Sequence, residues 1–380
     1  MNNLRYHLAN PENSNAANSY GEFSSLDFVI NAEGRKLVKN SIKIEGQIHV
    51  TKPNGQSIDK TDIVAIDNLI GAHAFFDSFT VTMPESKGLV QSANEYPRYV
   101  KNIAAGTMSK NDVFCSDMLA ELRGVNPENG RYNLQQINAN VVKAAAVDLD
   151  PVDPDFSIKP LICMNLMQGD NYSFDKNGLI RLSTNLVRNQ KGLFGSSYVS
   201  TNLYGYELKN LVVRYLTVPD DGQQGKMLLN SYTMIKNTIA SNAANISCRV
   251  PSNAVSSVTI SFLEQTRENS FNDNQYGLNR FEDFQELNYN FSDSTNQYYS
   301  FTITDLSESQ EIALEGLRNA GYDQVNNNTF RANNGYLLGL DFNDQFVDLS
   351  RNKFSLNLKS SSSASKAYLI YLYFNSLIVV

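Results

Sequence analysis

Residues 335–380, GYLLGLDFNDQFVDLSRNKFSLNLKSSSSASKAYLIYLYFNSLIVV, decide how this chain is read. The last run, AYLIYLYFNSLIVV, is the most apolar in the sequence. It covers only residues 367–380, holds Asn375, and has Tyr368, Tyr371 and Tyr373 spread along it. A helix crossing a bilayer needs about 20 apolar residues, so the run predicts a strand covered on both faces instead. Upstream, KFSLNLKS (353–360) reads as another strand. The polyserine stretch 360–363, extended by Ala364 and Ser365, reads as a solvated hairpin loop between the two.

The same grammar extends toward the N-terminus. In SIKIEGQIHVT (41–51), Ile42, Ile44, Ile48 and Val50 point one way and Lys43, Glu45, Gln47 and His49 the other, the period of a half-buried strand. FFDSFTVTM places Phe79, Val81 and Met83 on one face; FSIKPLICMNL, GLIRLSTNLV and YELKNLVVRYLTV continue the series to Val218. After Pro219 the polar DDGQQG reads as a linker. A second β-rich series follows: MLLNSYTMI, ANISCRV, SSVTISFLEQ, FQELNYNF and YYSFTIT, then the segments already quoted. Asn54-Gly55, Asn129-Gly130, Asn177-Gly178 and Asn334-Gly335 are expected at hairpins or tight turns, since both residue types tolerate positive φ. Three helices are expected. One covers 308–320, with Ser307 and Gln310 as a capping box; another covers 112–123 between Asn111 and Gly124; the third begins at Pro97 and carries Val100, Ile103 and Ala104. Each half thus holds a helix among its strands, although no residue-level repeat is present.

Composition narrows the function. The chain has 380 residues, a net charge of −7, 42% hydrophobic and 19% charged residues, 47 Asn, 20 each of Tyr and Phe, and no Trp. That is enough chain for two or three packed units. No basic block of the kind that grips nucleic acid is present. The first residues lack the apolar core of a secretory signal, so export by that route is not expected. Cys115, Cys163 and Cys248 have no CxxC spacing, so neither a disulfide framework nor a zinc site is expected, and Cys163 and Cys248 are read as small hydrophobes. His7, His49 and His73 have no paired spacing, and no GxSxG, GxxxxGK[ST] or GxGxxG occurs. Asp148, Asp150, Asp153 and Asp155 in DLDPVDPD offer oxygens for a cation. Pro151 and Pro154 more simply mark an extended connection entering the strand at Phe156. Four Asn-x-Ser/Thr tripeptides, beginning at Asn171, Asn245, Asn290 and Asn327, are what a chain this rich in Asn and Ser produces by chance. No catalytic, cofactor-binding or metal-binding residue is assigned, and an enzyme is not expected.

Three blocks carry a family resemblance: AFFDSFTVTMPESKGLVQSANEYPRYVKNI (74–103), VPSNAVSSVTISFLEQ with FEDFQELNYNF (250–265 and 281–291), and the quoted 335–380. In order, they resemble the strand-turn-helix of the first roll, the opening strands of the second and its closing strands in the double jelly-roll major capsid proteins of non-tailed icosahedral viruses. That lineage includes tectivirus-like phages, adenoviruses and virophages. The resemblance is one of pattern along nearly the whole chain, not of signature residues, and this chain is short for the family. It implies an all-β fold of two consecutive eight-stranded antiparallel jelly rolls with a few short inserted helices. The expected division is a flexible arm 1–24, a first roll 25–218, a linker 219–225 and a second roll 226–380, the arm ordering only against a neighbouring capsomer or inner layer. The implied role is a homotrimer forming a pseudo-hexameric capsomer of an icosahedral virion shell. Its partners would be neighbouring capsomers, vertex and minor capsid proteins, and an internal membrane or membrane-associated virion protein, without sequence-specific nucleic-acid binding. The rival readings are a viral spike or vertex protein, or a carbohydrate-binding β-sandwich, the latter weakened by the absence of Trp.

Overall fold

Alternation of branched or aromatic side chains with polar ones leaves each segment one face to bury, and two sheets satisfy this by packing face to face. The computed structural model describes residues 3–56, 64–108, 120–123, 131–133, 153–195, 204–240, 243–292, 297–342, 346–361 and 366–380. Eight strands of the first half are β1 (Arg5–Ala9), β2 (Ser25–Ile30), β3 (Lys43–Thr51), β4 (Phe76–Met83), β5 (Gly88–Asn94), β6 (Asp155–Ile158), β7 (Ile180–Leu186) and β8 (Gly205–Pro219). The second half supplies β9 (Met227–Ile239), β10 (Ala243–Cys248), β11 (Val255–Glu264), β12 (Phe284–Ser292), β13 (Gln297–Ile303), β14 (Leu338–Asp341), β15 (Lys353–Ser360) and β16 (Tyr368–Val379).

All the pairings are antiparallel, and the two halves share one permutation. The first half forms sheets β1-β8-β3-β6 and β2-β7-β4-β5; the second forms β9-β16-β11-β14 and β10-β15-β12-β13. That order, with chain neighbours in opposite sheets except for the hairpins β4-β5 and β12-β13, is the jelly roll. Helix α1 (Tyr96–Thr107) lies between β5 and β6; α2 (Leu306–Asn319) and α3 (Asn327–Ala332) lie at the same place in the second roll, between β13 and β14. The architecture repeats although the residues do not.

The last strand behaves as its composition requires. Tyr368, Ile370, Leu372 and Phe374 of β16 enter the core of the second roll. Leu369, Tyr371 and Tyr373 enter a second core that is continuous with the interior of the first roll. Helix α2 packs outside this sheet: Ser257 of β11 donates to the Gly316 carbonyl at 3.0 Å, and Ala313 and Leu317 are buried. Strand β8 turns through a bulge between Lys209 and Val212, with Asn210 at φ 54°. Opposite it Gly46 has no room for a side chain, since a Cβ there would lie 2.8 Å from Leu211.

Several expectations change. Residues 1–24, read as an arm without structure of its own, include β1, which pairs with β8 from Arg5↔Thr217 to Ala9↔Val213; Ser19–Tyr20 pairs with β8 as well. A polar segment cannot make a core, but it can close the edge of one, because backbone pairing needs no apolar side chain. FSIKPLICMNL does not run as one strand: β6 ends at Ile158 and Pro160 leads into a 3-10 turn at Cys163–Asn165. Immediately afterwards Met167–Gly169 pairs with β9, so first-half residues extend a sheet of the second roll. Asp305, not Ser307, caps α2, its carboxylate accepting from the Ser307 and Glu308 amides. Asn177-Gly178 ends a four-residue helix and Asn334-Gly335 follows α3, so both are tight turns with positive φ, at Gly178 (77°) and Asn334 (52°), and not hairpins. Asn129-Gly130 and most of the helix expected over 112–123 lie outside the described residues. Between Pro219, the end of β8, and Met227, the start of β9, the chain has no strand or helix.

Candidate assembly surfaces

The seam between the rolls is built from one helix. Glu95 at φ 48° turns the chain out of β5, Pro97 in the first turn starts α1, and the helix lies against the outer face of the β9-β16-β11-β14 sheet. Tyr99 lies against Tyr232 with ring centres 3.9 Å apart and planes tilted by 30°, meets Tyr373 at 5.3 Å, and donates its hydroxyl to Asn375 Oδ1 at 2.9 Å. Arg98 is buried; its guanidinium lies 4.3 Å from the Tyr371 ring centre and donates to the carbonyls of Gln275 and Gly277. Lys101 donates to both oxygens of Asp67, at 2.8 and 2.6 Å. The same carboxylate accepts from the amides of Leu69 and Ile70 and from Asn274 of the second roll. A buried charge is tolerable when its lone pairs are filled in this way, and here the filling ties three segments together. These groups hold shape and are not presented to a ligand.

The residues singled out from sequence are spread apart. His7 stacks on Tyr215 at 5.1 Å and its Nε2 lies 2.8 Å from Thr217 Oγ1; burial, then Arg35 and Arg5, lowers its pKa. His49 Nδ1 contacts Asp153 Oδ1 at 2.7 Å, and Lys209 contacts the other oxygen at 3.3 Å. Asp155 accepts from Gln47 at 2.9 Å. Asp153 and Asp155 thus face a cation and amides of their own sheet, while Asp148 and Asp150 lie outside the described residues. Among the described residues no three His, Cys, Asp or Glu side chains gather in the way a metal ion needs. Burial pushes the Cys163 thiol up to about 12 and that of Cys248 to about 11, so neither is an activated thiolate. Cys115 lies outside the described residues.

Two clefts open along the seam. One, of about 810 Å³, is lined by Glu121, Arg123, Lys159, Asn230 and Tyr322 among others. Burial pushes the Glu121 carboxyl up, but the Arg123 guanidinium 2.7 Å away, with His73 and the Lys159 amide, pulls it down to about 2. A carboxylate so held is a weak proton acceptor at neutral pH. Behind it His73 is fully buried, its Nδ1 2.7 Å from the Tyr96 hydroxyl; burial, then Arg123, lowers its pKa. The other cleft, of about 870 Å³, lies between β5, β9 and the end of β16 and is lined by Leu89, Gln91, Met234 and Val379 together with serines and asparagines. It brings no titratable pair to one point.

The outside carries a more informative feature. Leu4, just before β1, and Tyr6 and Leu8 within it are alternate residues that are 55%, 71% and 63% exposed. They stand on the outer face of the β1-β8-β3-β6 sheet beside Arg214 and Leu216. The equivalent face of the second roll is covered by α1 and α2. This asymmetry was missed in the sequence, although the alternation in Leu4-Arg5-Tyr6-His7-Leu8 signals it.

With two rolls of one strand order joined along a helix-lined seam, comparison with solved structures is direct. No protein-family model matches the sequence, and no curated protein matches it. The Faustovirus major capsid protein superposes with a TM-score of 0.56 at 9% identity, covering 100% of this chain and 90% of that one. A chain of the PBCV-1 virus capsid gives 0.55 at 10% identity, with 100% and 95% covered. The mavirus major capsid protein gives 0.52 at 8% identity, with 98% and 88% covered. The fold is that of the double jelly-roll major capsid proteins. At such identities the likeness lies in the course of the backbone, and none of those proteins' contacts follow from it. It spans both rolls, so the repeat is matched as a whole.

Proposed function

We propose that this chain is a capsid building block, a shell protein of a virion, whose work is shape. The observation that carries the reading is the duplicated strand order, two rolls held as one rigid unit by a seam of buried rings and charges. A shell needs bricks without free sheet edges and with fixed angles between them. Two rolls per chain, three chains per ring, give six rolls and a pseudo-hexagon that tiles a surface, each weak contact multiplied by closure. The formal charge of −7 suits a shell layer that leaves the genome to other components. In this reading its partners are further copies, vertex and minor capsid proteins, and an inner membrane or membrane-associated layer.

Light scattering after size exclusion tests the reading. A trimer near three times 42.5 kDa, or larger assemblies seen by negative stain, is expected. A monomer at all concentrations that binds a defined glycan would replace it with the carbohydrate-binding alternative.

A further inference from the structure

We infer that Lys101 and Asn274 join in a self-formed amide bond, with Asp67 as proton carrier, tying α1 of the first roll covalently to the second roll. This goes beyond the building-block reading and stands apart from it. Lys101 is 8% exposed and Asp67 1%, while Asn274 is partly buried and belongs to the loop between β11 and β12. Lys101 Nζ lies 2.6 Å, and Asn274 Nδ2 2.5 Å, from the same atom, Asp67 Oδ2. The shared acceptor holds the amine beside the amide whose nitrogen it would displace. Asp67 Oδ1 accepts from the Leu69 and Ile70 amides at 2.8 and 3.2 Å, which fixes the carboxylate and leaves Oδ2 to move a proton. The amide is held as well. Asn274 Oδ1 accepts from the Tyr276 amide at 3.0 Å, a donor at the oxygen that gains charge when the carbonyl carbon is attacked.

A protonated lysine has no lone pair to attack with, so the first event is proton transfer inside the buried pair. Taking an ion pair out of water removes much of its advantage over the neutral amine and acid. Ile66, Val100 and Tyr276, neighbours of the three groups along the chain, are all buried. Nζ passes one proton to Asp67 Oδ2, and its freed electron pair bonds to Asn274 Cγ while the carbonyl π pair moves onto Oδ1. Asp67 hands that proton to Nδ2 and takes a second one from Nζ. The pair on Oδ1 then reforms the carbonyl, the Cγ–Nδ2 bond breaks, and ammonia leaves with its electron pair. Ammonia takes the second proton from Asp67, so the products are a neutral amide, an ammonium ion and the original carboxylate. Nothing is oxidised or reduced, and no co-reactant is needed. Folding supplies the rate by placing amine, carboxylate and amide together before the reaction begins. The bond would constrain the unfolded chain as a disulfide does, in a protein whose described cysteines are unpaired.

Mass spectrometry of the denatured full-length chain, with peptide mapping, tests this. Wild type, incubated at neutral pH after purification, is expected to be lighter than its sequence by one ammonia. Trypsin should fail to cut after Lys101 and should release one branched species joining residues 99–110 to 268–280. Two variants are compared, with circular dichroism to check that each folds. Lys101→Arg still pairs with Asp67 but offers no amine to acylate; Asp67→Asn keeps an oxygen for the Leu69 and Ile70 amides but cannot carry the proton. Both should show the full sequence mass and no branched peptide. Wild type at full mass would overturn the bond whatever the variants do. So would loss of ammonia without the branched peptide, the mark of an asparagine cyclised on its own backbone. A branched peptide formed by folded Asp67→Asn would overturn the part given to the carboxylate. None of these results bears on whether the chain builds shells, which the light-scattering experiment decides separately.

Discussion

Tyr99→Ala removes a ring that belongs to the first roll by sequence and to the second by contact. Cutting a buried aromatic to alanine costs about 3–5 kcal/mol through lost transfer energy and the cavity left behind. The close ring contact with Tyr232 adds about 1 kcal/mol to that. Losing the donor to buried Asn375 Oδ1 adds about 1–3 kcal/mol, tempered because the Asn375 amide keeps its bond to Ser257. These effects overlap, so about 4–6 kcal/mol in total is expected, a large part of the 5–15 kcal/mol typical of a domain. Tyr99→Phe, which keeps the ring, should cost about 1–2 kcal/mol. Because the sequence lacks Trp, one reporter can be placed in each roll, at exposed Leu89 of the first or partly exposed Phe301 of the second. Urea unfolding followed through each reporter should show both midpoints falling together, since the seam is a core shared by the rolls. If the Phe301→Trp reporter were unmoved while the Leu89→Trp reporter fell, or if the loss were under about 1 kcal/mol, the shared-core argument would fail.

Other outcomes follow from the same geometry. Arg98→Met should cost about 2–4 kcal/mol in chemical denaturation by orphaning the Gln275 and Gly277 carbonyls; Arg98→Lys should recover only part, since an ammonium cannot reproduce a planar fork over Tyr371. Glu121 is held down at about 2 against an ordinary 4.5, so its contribution is complete above pH 4.5 and fades as pH falls toward 2. Acid titration of stability should therefore be flatter in Glu121→Gln, by up to about 3 kcal/mol across that window, and parallel curves would refute it. A chain of residues 226–380 alone should aggregate or bind a hydrophobic dye, because removing α1 uncovers Tyr232, Tyr371 and Tyr373; a soluble, dye-silent monomer would contradict the role given to the seam.

Much of this molecule is legible without coordinates, for a local reason. Side chains alternate across a strand, so Ile44, Ile48 and Val50 declare a buried face wherever the strand is placed. Pro97 and the residues around Ser307 mark helix starts to within a turn, because backbone donors at a helix end must be satisfied nearby. The run 367–380 declares burial on both faces by having too little polarity for solvent on either.

What covers the second face of that run is another matter. Nothing in the spacing of Arg98 and Tyr99 says that they point at Tyr371 and Tyr373, far along the chain, instead of at their own roll. Likewise β1 reads as part of a polar tail because its alternation is short and its place depends on backbone hydrogen bonds to β8, whose partner strand no local pattern names. The Met167–Gly169 strand crosses between the rolls for the same reason. Sequence alone determined most of the long strands and which of their faces need cover, since those depend on neighbours one to four positions away. Only the tertiary structure decided which surface supplies that cover and which is left bare, because that depends on where distant segments meet once both sheets have closed.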